Sequence, residues 1–201
     1  MSNSTAKRIQ RECREVVTDE EMADLGISIE ILDDSSFSHI KGVIRGPPDT
    51  AYQNGRFELD LRFPDDYPFK PIQAKFLTRV WHPNISSQTG TICLDILKDK
   101  WFVLFFLSPK ELSIQTLLAL PEPSDPQDAV VAKQYMTSLD YFNKTAKFWT
   151  QHYARGPGVK DEAMAEMVKK VLQFAKTEQE AISVLSCNEW DPAKAVAYIR
   201  S

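Results

Sequence analysis

Cysteine is scarce in this 201-residue chain: Cys13, Cys93 and Cys187 are the three, and the nearest two stand 80 positions apart. An odd number with no CxxC pair excludes a disulfide framework and a zinc ribbon or finger. Histidine is equally thin, at His39, His82 and His152. No apolar stretch is long enough to cross a bilayer, the longest being Phe102 to Leu107. An excess of basic charge is missing too. With 24 Lys and Arg against 28 Asp and Glu the net charge is −4, which speaks against a broad nucleic-acid-binding face. The opening residues MSNSTAKRIQRECREVV contain no apolar core of a secretory signal, so a cytoplasmic, also nuclear, location is expected. Without export, the glycosylation sequons at Asn3, Asn84 and Asn143 carry little meaning. What remains is a globular composition, 43% hydrophobic and 26% charged, sized for one domain with a small appendage.

The pattern along the chain predicts an α+β protein. Residues 5–17 form an amphipathic helix, with Ile9, Cys13 and Val16 on one side and Lys7, Arg11 and Arg14 on another. From Ile27 the period becomes two. Strands are expected over 27–32, 39–45, 56–63 and 73–78, the clearest being RFELDLRF at 56–63. Short turns between them suggest a four-stranded antiparallel meander with helices over one face. An irregular segment follows Trp81. Ser108-Pro-Lys-Glu111 then combines a capping box with proline at the first helical position. A further helix is expected from near Pro126, and another carries Phe142, Ala146, Trp149 and Tyr153.

Gly156-Pro157-Gly158 marks the best boundary. It divides a domain over 1–155 from a linker at 156–160 and a three-helix module at 161–201. In the module, Met164, Met167, Val168, Val171 and Leu172 make one helix face. Thr177 with Glu180 opens the second helix, and Asp191-Pro192 opens the third after Trp190.

The stretch WHPNISSQTGTICLDIL at 81–97 holds the chemistry-bearing residues. A thiol at its reference pKa near 8.5 is a few per cent thiolate at pH 7, enough to attack an activated acyl donor without a histidine base. His82 could be a base, but a Cys-His hydrolase also needs a residue to orient the ring, and nothing in the spacing supplies one. Asn84 could donate to an oxyanion, a bond whose loss costs about 3–4 kcal/mol, or it could satisfy turn backbone. Cys93 could equally be a small buried hydrophobe.

His82-Pro83-Asn84, Gly90, then Thr91-Ile-Cys93-Leu-Asp95-Ile-Leu97 and Trp101 resemble the core signature of ubiquitin-conjugating enzymes, the E2 class. GPPDTAYQNGRF at 46–57, YPFKP at 67–71 and DPQDAVVA at 125–132 extend the resemblance over nearly the whole chain. The last forty residues resemble a ubiquitin-associated (UBA) domain. The resemblance implies that Cys93 receives ubiquitin from the E1 activating enzyme as a thioester and passes it to a lysine amine, building polyubiquitin chains. It implies that Asn84 supports the oxyanion or the active-site loop, and that His82 and Trp101 are structural. Asp125 would orient the acceptor lysine, with Asp95 a second candidate nearby. Lys7, Arg8, Arg11 and Phe69 would meet E1 and the E3 ligase, and Phe174, Ala175, Lys176 and Ile199 would meet ubiquitin. No cofactor or metal is implied, since ATP is used by E1. The expected partners are ubiquitin, E1 and E3, with no nucleic acid and no membrane, for a monomer.

Three departures from the family pattern stand out. Phe102-Val-Leu-Phe-Phe-Leu107 is far more apolar than the segment that usually follows the tryptophan and meets RING-type ligases. Phe174-Ala175-Lys176 replaces a Met-Gly-Phe-type loop, and Ile72 stands where a second proline is common. The rival reading is therefore a catalytically impaired ubiquitin-binding or scaffold protein. A carrier of another ubiquitin-like modifier is a third.

Overall fold

Period-two patterning becomes a sheet because each strand has one apolar face to bury. A computed structural model of the chain describes residues 3–33, 37–70, 72–92 and 114–201. Strands β1 (Ser28–Ile31), β2 (His39–Arg45), β3 (Arg56–Arg62) and β4 (Gln73–Phe76) lie in that order, all antiparallel. The register sets Ile44 opposite Phe57, Ile40 opposite Leu61, and Leu59 between Gly42 and Phe76. Phe57 and Leu59 are wholly buried. The opposite face carries ions paired on the diagonals of the ladder: Lys41 to Glu58 (2.9 Å), His39 to Asp60, and Arg62 to Asp60 (2.9 Å) along its own strand. At this exposure each such pair is worth roughly 0–1 kcal/mol.

β4 stops at Phe76, two residues before the sequence suggests. There Leu77 N–H (2.8 Å) and Thr78 N–H (3.3 Å) both turn to the Glu58 carbonyl, and Thr78 Oγ1 accepts from Glu58 N–H. Helix α1 (Asn3–Thr18) packs on β1 through buried Ile9, Cys13 and Val16. A short α2 (Glu20–Asp24), with no period long enough to be read in the sequence, turns the chain into β1. Helix α3 (Ile114–Ala119) packs on β2, and its Gln115 donates to the carbonyls of Leu25 and Arg45 (2.8 Å each).

Helix α4 (Ala129–Thr137) begins three residues after Pro126, the expected start. Asp128 is the N-cap, and Pro83 O accepts from the N–H groups of both Gln127 and Asp128 (2.9 Å each), which holds this stretch out of the helix. Helix α5 (Leu139–Tyr153) buries Phe142, Ala146 and Trp149 on one side. Its end closes onto the sheet where Arg56 N–H donates to Ala154 O (2.7 Å).

After the Gly-Pro-Gly turn come α6 (Glu162–Leu172), α7 (Glu178–Cys187) and α8 (Pro192–Arg200), capped by Asp161, Thr177 and Asp191. Leu172 departs from the expected buried face: it is exposed, while Met164, Val168 and Val171 point inward. These helices dock on α5. Trp149 Nε1–H donates to Ser186 Oγ (2.9 Å), Trp190 Nε1–H to Thr145 Oγ1 (3.0 Å), and Tyr141 O–H to Glu189 O (2.7 Å). Trp190 also sets its edge against Phe148, with centroids 4.9 Å apart. Indole N–H groups buried with matched acceptors make this junction specific as well as apolar.

Candidate active site

The loop from Trp81 to Ile92 is rigid for identifiable reasons. Trp81, Ile85 and Ile92 are buried, and Trp81 Nε1–H donates to Gln134 Oε1 (2.7 Å). Gly90 has φ +75°, and a Cβ there would sit 2.0 Å from Phe76 O, so no larger residue fits. That close approach lets Gly90 O accept from Phe76 N–H (2.9 Å), tying the loop to the end of β4.

His82 is fully buried. Its Nδ1 accepts from Asn84 N–H and its Nε2–H donates to Leu117 O, both at 3.0 Å, which uses a neutral ring completely. Burial pushes its pKa down from 6.5 to about 3, against a smaller upward pull from the Leu117 carbonyl. A ring so engaged is a poor base for a thiol near neutral pH, which agrees with the sequence argument against a Cys-His hydrolase. Below pH 6.5 the unfolded chain binds a proton here that the folded chain refuses until about pH 3. Stability therefore falls as pH drops through that window, with a limiting slope of about 1.4 kcal/mol per pH unit. We expect urea midpoints to decline between pH 7 and pH 5 in a His152→Gln background, since the half-buried His152 shifts the same way. The His82 ring should keep the ¹⁵N signature of neutral Nε2–H at pH 5; a protonated ring there would contradict this reading.

Asn84 is buried as well and engages both donor protons and its oxygen. Nδ2 donates to Glu122 O (2.7 Å) and Asp125 O (2.9 Å), while Oδ1 accepts from Glu122 N–H (2.8 Å). With both amide protons committed to backbone carbonyls, none is left to meet an oxyanion in this arrangement. Of the two roles open to Asn84 in the sequence, the geometry matches support of the loop. Asp128 adds a second clamp by accepting from Ser87 N–H (3.1 Å) and Oγ–H (2.6 Å). Pro83, Asn84 and Ser87 thus fasten one side of the 122–128 segment and leave Asp125 exposed on the other. Asp128 and Glu122 were missed from the sequence. An N-cap aspartate before AVVA was the available signal for the first, whereas the second contributes only backbone groups.

Cys93, Asp95, Trp101, the 102–107 segment and the Ser108 cap lie outside the described residues; Ile92 marks where that segment begins, buried in the core. Glu12 on α1 accepts from the Tyr67 hydroxyl (2.8 Å) and pairs with Arg8 (2.9 Å), whose guanidinium lies 5.8 Å from the Tyr67 ring centroid. This fixes the helix beside the proline-rich loop, so exposed Lys7 and Arg11 share a region with Phe69, which is 92% exposed. In the module, Phe174 is exposed and Arg200 stacks over its ring at 4.7 Å, bringing the 174–176 turn next to Ile199 at the end of α8. Among the described residues no group of His, Cys, Asp and Glu could hold a metal ion.

An N-terminal helix, a four-stranded meander, a clamped His-Pro-Asn loop and C-terminal helices define the fold and site of an E2 carrier. Residues 8–150 match the family model described as ubiquitin-conjugating enzyme. Ubiquitin-conjugating enzyme E2 21 of Caenorhabditis elegans is 46% identical over 199 residues, 99% of this chain and 92% of the relative. Human ubiquitin-conjugating enzyme E2 K is 41% identical over 201 residues, the whole of both chains. The solved E2 domain of a Toxoplasma gondii ubiquitin conjugating enzyme superimposes with a TM-score of 0.63 at 44% identity, covering 74% of this chain and 97% of that one. This chain belongs to the ubiquitin-conjugating enzyme family, and its activity is that of an E2 enzyme working with ubiquitin, E1 and E3 partners.

Proposed function

We propose that Cys93 carries the activated ubiquitin and that the 122–128 segment presents the acceptor lysine to it. Cys93 would attack the E1 thioester, forming a new S–C bond as the E1 thiol departs, and a lysine amine would then take the acyl group. The observation that supports this division is the Asn84 clamp, which commits three hydrogen bonds to hold the loop bearing Asp125. A lysine of pKa about 10.4 is neutral roughly 0.04% of the time at pH 7, a deficit near 4.6 kcal/mol. Preparing the amine is thus at least as demanding as activating an already energy-rich thioester. A carboxylate alone raises the amine's pKa. It helps by positioning the amine and taking up its proton as attack proceeds.

Asp125→Ala should therefore slow single-turnover discharge to free lysine about tenfold or more and leave loading by E1 within twofold. Equal loss in both half-reactions would defeat this assignment. The wild-type adduct should be one ubiquitin heavier and vanish with reductant. On the same reading the helical module is a UBA domain whose 174–176 turn and Ile199 meet ubiquitin, and Lys7, Arg8, Arg11 and Phe69 receive E1 and E3. The chain would act as a monomer in the cytoplasm and nucleus, without a cofactor of its own, building polyubiquitin.

A further inference from the structure

Where the sheet edge, the end of α5 and the start of α7 meet, a pocket of about 390 Å³ is walled by Arg56, Glu58, Arg79, Tyr153, Arg155 and Gln179. Its charges are unbalanced. Arg56 pairs with Glu58, and Lys41 already shares that carboxylate (2.9 Å). Among the described residues Arg79 pairs with no carboxylate: Nη1 donates to Ser87 O (3.0 Å), Nε and Nη2 donate to the Gln179 side-chain oxygen, and one N–H on each of Nη1 and Nη2 is left over. Arg155, held by a left-handed backbone at φ 54° just past α5, makes no ion pair or side-chain hydrogen bond among the described residues. Glu178, near this edge, lies 3.9 Å from His152.

An exposed arginine alone means little, because water satisfies it. A second feature points to a ligand. The Tyr153 hydroxyl is shielded from solvent and has no hydrogen-bond partner among the described residues. Burial keeps it protonated, its pKa pushed up to about 12, so it is a donor lacking an acceptor. Two guanidinium forks without carboxylates beside an orphan O–H suit an oxyanion with several oxygens and more than one charge.

We propose that this pocket binds a phosphate group, with Arg79 and Arg155 gripping its oxygens and the Tyr153 hydroxyl donating to it. Gln179, from the helical module, lines the same pocket and holds Arg79 in place. The shared chemistry is a phosphate monoester or pyrophosphate, free or borne on a peptide.

The test uses the full chain, with calorimetric titration and thermal unfolding in sodium pyrophosphate and in a phosphoserine tetrapeptide, against sodium chloride at matched ionic strength. Saturable binding of one anion per chain is expected, weakened at least tenfold in Arg155→Gln and in Arg79→Gln. Tyr153→Phe should weaken it severalfold and leave the ligand-free unfolding midpoint unchanged or raised. The tighter probe tells whether the phosphate is free or peptide-borne. The surface position of Arg155 keeps its variant informative should Arg79→Gln fold poorly. Responses no larger than with sodium chloride, or equal affinity in wild type and Arg155→Gln, would overturn the proposal.

Discussion

In Cys93→Ser, ubiquitin supplied by E1 and ATP should accumulate slowly as an adduct that survives reductant, and its discharge to lysine should fall by at least a hundredfold. The thiolate is both the better nucleophile near neutral pH and the better leaving group, its conjugate acid lying near pKa 8.5. A serine oxygen loses on both counts, so loading slows and the ester, once formed, is a dead end. The other two thiols do not substitute. Cys13 is 5% exposed inside the α1 face, and burial with the Glu12 charge pushes it to about 11. At pH 7 that leaves about one thiolate in ten thousand. Cys187 is solvent-exposed, so access does not restrain it, but surrounding atoms and the Asp128 charge shift it the same way. A reducible adduct on Cys93→Ser would move the carrier role to one of these thiols and sink the assignment.

Much of the scaffold was legible because its determinants are local. Alternation in RFELDLR fixes which side of β3 is buried, and Asp161, Thr177 and Asp191 cap the helices they precede. What could not be read is what joins distant positions. Asn84 reaches residues 38 and 41 positions away, and no sequence rule says that an asparagine will spend both amide protons on Glu122 and Asp125. Trp190 reads as the core of a separate small module, yet its indole N–H crosses to Thr145, 45 residues back. The Gly-Pro-Gly turn reads as a domain boundary, and nothing local says that Gln151 will pin it through Pro157 O (3.0 Å) and Val159 O (3.2 Å). The scaffold-only reading rested on FVLFFL; family membership over residues 8–150 favours the enzyme.

Asn84 gives the second large effect, and two substitutions separate its possible roles. Asn84→Ala removes three hydrogen bonds at once, each worth about 0.5–1.5 kcal/mol net, and frees the 122–125 loop, where water can satisfy the released backbone. We expect about 2–4 kcal/mol lost in unfolding free energy and lysine discharge slowed a hundredfold or more, with thioester loading much less affected. Asn84→Asp keeps the shape and can still accept from Glu122 N–H. It then aims a buried carboxylate at the Glu122 and Asp125 carbonyls, where the native amide donates. If Asn84 is a brace, Asn84→Asp must be less stable than Asn84→Ala above pH 6. Its deficit relative to Asn84→Ala at the same pH should also shrink as the pH is lowered, because a protonated carboxyl regains one donor and sheds the charge, while the His82 effect is common to both variants. If Asn84 instead acts only on the oxyanion, both variants lose the same donor: discharge falls alike, neither unfolds early, and no pH-dependent difference between them appears. Denaturation midpoints at pH 7.5 and pH 5.5, set beside single-turnover discharge rates, decide between them.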